Sequence, residues 1–555
     1  MPRGQYGTFA SSSTASSDSL QINAIVGNTD KRERDRQQEL EAYIRTRELE
    51  LGSQFVLAKP EDEALLLTCD GQLLSFDGQG IAIATYLHYS YGLNPAEKWA
   101  RLAFNAIRTS CLTGVPRQAR RFAMFDRTSC TLYMSRWNGS IRVLDGTTVV
   151  SEPNGYSALF LDDDSGSDVA EPEIGPHGEL LPALVDLCYA DNSIGGILPE
   201  QQQMALTTWL FCLAFPDLIA SKPLLLLEGA PGSGKSTAAR KIQQVVHGNI
   251  NPIMISKDGE RDFPVQLLAN PITVLDNTDN YIEWIPDAVC SYVTGGGWDR
   301  RKLYSDKAVV KMRPQSFIAV ASKDPASFRR EDTAERLIVL RLAKREVGTS
   351  LPDNVLHERL AALRPRLFGE YLFYCNKIVD LIRAGAWEEE AETAADWNRM
   401  GDYAQMAFLV GRVLDWDRTE IEDMLQALKA ESEALANEND PLIDLLTIYL
   451  RWPHRVGRPK SVTDLYADLN QLAQENQKTF YRSARMLSQK LRSEHLKTHF
   501  IVQEGAADGH KTFALWPKSP KGLTALPGGK TVDRAAEEKK EQAKREGLYI
   551  EIGDL

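Results

Sequence analysis

The chain has 555 residues, 43% of them hydrophobic and 25% charged, a composition ordinary for soluble globular proteins and a length that suits about three or four domains. Its net charge of −12 argues against a surface that coats nucleic acid throughout, yet leaves room for a basic channel on an acidic body, because the field that matters is local. No apolar run reaches the roughly 18 residues of a membrane span, the first residues hold no apolar signal-peptide core, and the seven scattered cysteines include no Cys-x-x-Cys pair, so a cytoplasmic protein with no membrane partner, zinc site or disulfide framework is expected.

Residues 1–34 are Ser-rich and then polar, with little to bury, and are expected to be disordered. Arg32 to Leu51 is charged and helix-prone. Over 35–161 the pattern predicts an α+β accessory domain. Its strands include Ala64–Thr68, Thr131–Ser135 and Ile141–Leu144, with Asn138-Gly139 as a hairpin turn, and its helices run from Ile81 to Tyr91 and Pro95 to Leu112. The acidic, small-residue stretch 162–175 reads either as a linker or as a surface loop within one domain.

Residues 176–345 alternate helical and strand-like segments. Helices are predicted over Leu180–Tyr189 and Pro199–Phe215, and strands at Leu224–Leu227, Pro252–Ser256, Pro271–Asp276, Ser316–Ser322 and Arg336–Leu340. That alternation predicts an α/β, parallel, doubly wound sheet whose ligands bind at the carboxyl ends of its strands. Residues 346–437 read as a helical segment, with separate helices at Leu356–Leu363, Leu367–Ala384 and Ile421–Ala436. Over 438–516, helices at Pro441–Leu450, Ser461–Glu475 and Ser483–His499 precede a strand, turn, strand, the pattern of a winged helix. The tail 517–555 is charged and expected to be disordered.

The most specific motif is Gly229-Ala230-Pro231-Gly232-Ser233-Gly234-Lys235-Ser236-Thr237, a P-loop between an apolar strand and a helix. Such a loop cradles phosphates with backbone N–H groups and a helix N-terminus, Lys235 reaching the β- and γ-phosphates of ATP and Ser236 placing its hydroxyl on Mg²⁺. Asp276 closes an apolar strand about 40 residues later, where a carboxylate binds Mg²⁺ opposite Ser236. Asn277, which follows it, cannot act as a base. Asp279 is the nearest acid that could, with a structural role as the equal alternative. Ser322 ends the next core strand, where a hydroxyl can meet the γ-phosphate or the attacking water. Arg329, Arg330 and Arg336 follow it. Between the two core strands, a glycine turn leads into Arg300, Arg301, Lys302, Tyr304 and Lys307, a hairpin suited to a phosphate backbone, or else a solvated basic loop.

In order, the P-loop, the acidic strand, Val293-Thr-Gly-Gly-Gly297, Arg301-Lys-Leu-Tyr304, Arg313–Ser322 and Thr333–Leu340 resemble superfamily 3 helicases of the AAA+ class. The likeness is greatest to the primase-helicase ATPases of phages, poxviruses and mobile elements. It covers about 180–345 well and the flanking regions weakly. The resemblance implies a homo-oligomeric, hexameric ring that hydrolyses ATP between subunits and moves on single-stranded DNA. It assigns Lys235, Ser236 and Asp276 to ATP and Mg²⁺, makes Arg336 the leading arginine finger, and gives the Arg300–Lys307 hairpin to DNA. Two positions depart from it: Asn277 stands where an acid is frequent, and Ser322 where asparagine is usual. No primase pattern is present in 1–175, so a separate primase or initiator is expected. On the winged helix, Arg485, Lys490 and Arg492 are the duplex-contact candidates, with protein docking as the equal alternative. The runner-up for the whole chain is a nucleotide-dependent switch or assembly scaffold that does not unwind DNA.

Overall fold

In the computed structural model the described residues are 12–59, 62–76, 81–161, 166–191, 195–250, 252–254, 258–301, 309–345, 351–394, 397, 400–437, 441–476, 480–481, 483–492, 494–507 and 510–518. They form a mixed α/β protein of two compact units, residues 1–436 and 437–555. Among the described residues no helix is long and apolar enough to cross a membrane.

The first unit opens with helices Ser12–Gly27 and Glu33–Glu50. The first of these corrects the expectation of disorder over 1–34, of which 1–11 lie outside the described residues. Ile22 and Ile25 bury against Leu40 and Ile44 of the second helix, whose Tyr43 and Arg47 donate hydrogen bonds to Asp18 at 2.5 and 3.1 Å. Two isoleucines and one ionic contact are too sparse a signal to stand out in a Ser-rich composition. Strands β1 (Gln54–Lys59), β2 (Glu63–Leu67), β3 (Leu73–Ser75) and β4 (Val115–Gln118) follow, in a sheet of order β3-β2-β1-β4. Helices Ile81–Tyr91 and Lys98–Leu112 separate β3 from β4.

A second sheet is an antiparallel meander of β5 (Ala123–Asp126), β6 (Thr131–Ser135), β7 (Ser140–Leu144) and β8 (Val149–Pro153). Its β6–β7 turn is at Asn138-Gly139, where Gly139 has φ +78° and a Cβ would meet the Asp70 carbonyl oxygen at 2.6 Å. Residues 166–175 belong to the first compact unit. Residues 162–165 lie outside the described residues, but Asp168 pairs with Arg136 and Arg142, and Arg364 donates to Ser167.

The central sheet carries the site. Strands β9 (Leu224–Gly229), β10 (Pro252–Met254) and β11 (Ile272–Asp276) are followed by a separate hairpin of β12 (Trp298–Arg301) and β13 (Val309–Met312). Strands β14 (Phe317–Ser322) and β15 (Leu337–Leu342) complete the sheet, in the order β10-β11-β14-β9-β15 with every pairing parallel. Its strands are mostly apolar because both faces are covered, with polar residues concentrated at the carboxyl ends. Leu225 and Leu227 enter one core with Trp209, Ile242 and Leu360; Leu224 and Leu226 enter another with Phe263, Ile285 and Val289. The period of two along a strand thus feeds two separate helical layers.

Two helical expectations change. Residues 180–189 form a helix only over Leu180–Leu184, and Tyr189 instead bridges Leu342 at the end of β15. The segments expected on either side of Pro365 are one helix, Asp353–Arg383. An interior proline costs about 3 kcal/mol, but Leu360, Leu367, Phe368, Tyr371 and Leu372 all bury along this helix, at about 1.5–3 kcal/mol for each large apolar side chain. Helices Gly401–Leu414 and Arg418–Asn437 complete the unit.

The second unit has helices Pro441–Tyr449, Val462–Glu475, Ala484–Leu491 and Glu494–His499, and a three-stranded antiparallel sheet of β16 (Lys460–Ser461), β17 (Phe500–Ala507) and β18 (His510–Pro517) in the order β16-β18-β17. The expected Ser483–His499 helix is therefore two helices. Ser461 and Ser483 accept hydrogen bonds from the backbone N–H groups of Asp464 and Met486 and so start their helices. The tail from 519 lies outside the described residues.

His247 gives the first unit an acid limit. Its ring is buried against Phe122 and Trp137, with centroids 5.8 and 5.1 Å away. Burial foremost, and then the Arg364 guanidinium, push its pKa down from 6.5 to about 3. The unfolded chain therefore binds this proton between those two values and the folded one does not. The stability is intact above pH 6.5 and is lost as pH falls towards 3. At pH 5 the loss is expected to be about 2 kcal/mol. Urea midpoints at pH 7.5 and 5 for the parent and His247→Phe check this, and the substitution should remove that part of the acid dependence.

Candidate functional site

The glycine-rich loop runs from the carboxyl end of β9 to the helix Lys235–Ile242. Gly232 and Gly234 have φ of +84° and +90°, a region that other residues enter at a cost. A Cβ on Gly229 would lie 2.5 Å from the Leu342 carbonyl oxygen on neighbouring β15. The N–H groups of the helix's first turn have no intrahelical acceptors. Lys235 Nζ is curled back onto its own loop, donating to the carbonyls of Gly229 at 2.8 Å and Ala230 at 3.4 Å. Gly232, Gly234, Lys235, Ser236 and Thr237 line a cavity of about 360 Å³. A larger cavity of about 500 Å³ opens beside Pro271 and Ser316, at the amino ends of β11 and β14, away from the strand ends where such sheets bind ligands.

Parallel register brings the predicted residues to that carboxyl edge. Ser236 Oγ donates to Asp276 Oδ1 at 2.7 Å, across 40 residues of sequence. Arg240, one helical turn beyond Ser236, pairs with Asp276 Oδ2 at 2.9 Å. Asn277 is exposed with φ +58°, and its N–H donates to Asp276 Oδ1 at 3.0 Å. Asparagine tolerates that left-handed backbone better than most residues, which gives a structural reason for its presence after the acid.

Ser322 ends β14 and donates to Asp279 Oδ1 at 2.9 Å; the Lys323 N–H reaches the same oxygen at 2.8 Å. Burial raises the Asp279 pKa, but the Lys323 N–H, the Ser322 hydroxyl and the Lys323 ammonium outweigh it, and the carboxyl lies below its ordinary value. A general base works best with a pKa near the operating pH. Asp279 thus accepts from both Ser322 and the Lys323 N–H and holds the end of β14.

The arginines after Ser322 differ in exposure. Arg336 is 9% exposed and turns inward, its Nη1 donating to the Asp332 carbonyl and to Cys290 Sγ at 3.6 Å. Its guanidinium is packed on the flank of the short helix Glu331–Ala334. Arg329 pairs with Asp324 and is mostly buried. Arg330 is the more exposed, its side chain 44% accessible between Asp287 and Asp332.

The basic hairpin is antiparallel, with Trp298 opposite Met312 and Arg301 opposite Val309. Arg300 and Arg301 lie on β12; Lys302, Tyr304 and Lys307 lie outside the described residues. In the second unit Arg485 is exposed and Lys490 half-buried. Arg492 is committed elsewhere: it pairs with Glu504 through two hydrogen bonds of 2.8 and 2.7 Å and stacks over Phe513.

Sequence reasoning missed three features of this site. Arg240 was legible, being four residues after Ser236 and so on the same helix face. The second is a buried network: Arg341 on β15 pairs with Glu228 at 2.8 Å and with Glu431 of the helix Arg418–Asn437, while Glu431 also accepts from Gly195 N–H at 2.7 Å. Glu228 immediately precedes the loop, so the network anchors its base. The third is Arg345, which lines the 360 Å³ cavity. Neither of these last two has a local sequence signal.

Residues 197–435, which hold the parallel sheet and the helices after it, match the family of the actinomycete integrative conjugative element replication protein. No curated protein matches the chain. Among solved structures the chain is similar to the A form apo structure of the NrS-1 C terminal region, with 9% identity, coverage of 86% of this chain and 99% of that one, and a TM-score of 0.38. An apo structure of the same NrS-1 region gives 8% identity, the same coverage and a TM-score of 0.37.

Proposed function

We propose that this chain is a P-loop ATPase of AAA+ type that serves replication of an integrated mobile element by moving on single-stranded DNA. The observation that carries this reading is the Ser236–Asp276 contact beside Lys235, at the carboxyl edge of a parallel sheet. In that sheet β14 lies between the strand bearing the loop and the strand bearing the acid. The family matched over 197–435 supports the replication context.

Mg²⁺ fits the site, since it is commonly held by a hydroxyl and one or two carboxylates, with phosphate oxygens and water completing the shell. Bound there, it would neutralise charge on the β- and γ-phosphates. Lys235 exchanges its loop carbonyls for phosphate oxygens. Asp276, fixed by Arg240 and the Asn277 N–H, orients Ser236. Ser322, braced by Asp279, is placed to hydrogen-bond the attacking water or the γ-phosphate. With Arg336 turned inward, Arg330 is the arginine better placed to act on a neighbour's nucleotide in a ring. The second unit, with its four helices and three-stranded sheet, is read as a winged helix that offers Arg485 to duplex DNA or a partner protein.

The test is Arg301→Ala combined with Lys307→Ala. On this reading the pair abolishes the stimulation of ATP hydrolysis by single-stranded DNA while ATP binding survives; retained stimulation would remove the hairpin from DNA contact. One set of observations favours the second reading, a nucleotide-dependent switch. Asn277 cannot act as a base, the pKa of Asp279 is lowered, and Arg336, the leading finger candidate, is turned inward. Hydrolysis by the parent that is indifferent to DNA would select that reading.

A further inference from the structure

β15 pairs with β9 in parallel, with Leu342 opposite Gly229. Three residues further on, Arg345 passes directly over the glycine-rich loop. Its Cζ, Nε and Nη2 each lie 3.0 Å from the position of a Cβ on Gly234. It lines the same cavity as Gly232, Lys235, Ser236 and Thr237. Among the described residues Arg345 has no hydrogen bond or ion pair. Its charge is felt by Lys241, whose pKa is lowered first by burial and then by Arg345. Lys235 and Arg345 thus bring two positive charges to one small cavity, where Asp353 is the lining carboxylate. A held pair of cations in a partly desolvated cavity is repulsive by itself and is relieved by a polyanion.

We propose that Arg345 is a second phosphate-binding cation of the nucleotide site, acting within its own subunit on the phosphate chain of a nucleoside triphosphate. This rests on the nucleotide reading above. It assigns a role to a residue outside the loop motif, and one distinct from that of a finger supplied by a neighbour. Arg345 stands on the connector between β15 and the helix Asp353–Arg383, so gripping the phosphates also fastens that connector to the loop. Arg345 contacts the phosphates in binding and takes no part in the bond-breaking step.

The experiment is calorimetric titration of ATP into the parent, Arg345→Ala, Arg345→Lys and Lys235→Ala proteins at several salt concentrations, beside the melting temperature of each without nucleotide. Loss of one charge-assisted phosphate contact should weaken ATP binding by about tenfold or more and make the affinity less salt-dependent. Lysine should restore part of it, with melting unchanged. The proposal is overturned if Arg345→Ala keeps the parent's affinity and salt dependence while Lys235→Ala loses binding. It is also overturned if both Arg345 variants melt early, which would make the residue structural. A parent that binds no ATP would bring down the nucleotide reading itself, an outcome distinct from either.

Discussion

Lys235→Ala is expected to lower kcat/KM for ATP hydrolysis by about 10²–10³, the cost of losing one preorganised donor to a charged, reacting group. The ammonium rests on two carbonyls of its own loop, at 2.8 and 3.4 Å, so removing it takes away no contact that joins separate elements. The fold should survive, and the far-ultraviolet circular dichroism and melting temperature should match the parent. Steady-state hydrolysis of purified protein, with and without single-stranded DNA, measures the effect. A variant that turns over ATP like the parent would mean that the cavity beside Gly234 and Thr237 is not where phosphates are held.

Arg341→Ala should act on stability instead. Its guanidinium lies between Glu228 and Glu431, and Glu431 is fully buried. Truncation leaves two carboxylates with no cation between them, and breaking a buried pair from one side costs about 3–5 kcal/mol. The measurement is the urea midpoint of the parent and the variant, taken with the slope of the transition. A shift worth under about 1 kcal/mol would show that water or a rearranged side chain satisfies both carboxylates, and that the network does not anchor the loop. Arg341→Ala with Glu431→Gln should recover part of the loss, because it removes one of the stranded charges. The two predictions separate cleanly: the first substitution alters chemistry with little change in stability, the second stability before chemistry.

What was readable in this chain follows the range of each signal. The loop Gly229–Thr237, the strands ending at Asp276 and Ser322, and the β6–β7 hairpin at Asn138-Gly139 are local patterns, set by glycine conformation and apolar runs within a few residues. The sequence by itself therefore determined that a phosphate-type loop joins a buried strand to a helix, and that acid and hydroxyl residues close later strands of an α/β domain. Only the tertiary structure decided which of them meet. Parallel pairing set Ser236 against Asp276, joined Ser322 to Asp279, turned Arg336 inward, and carried Arg345 from a connector to the loop. It also kept Asp353–Arg383 helical through Pro365 and folded Ser12–Gly27 onto its neighbour. The physical reason is the same in each case. A side chain's partners depend on strand order, register and burial against distant segments, and these energies exceed the local preferences that a sequence displays.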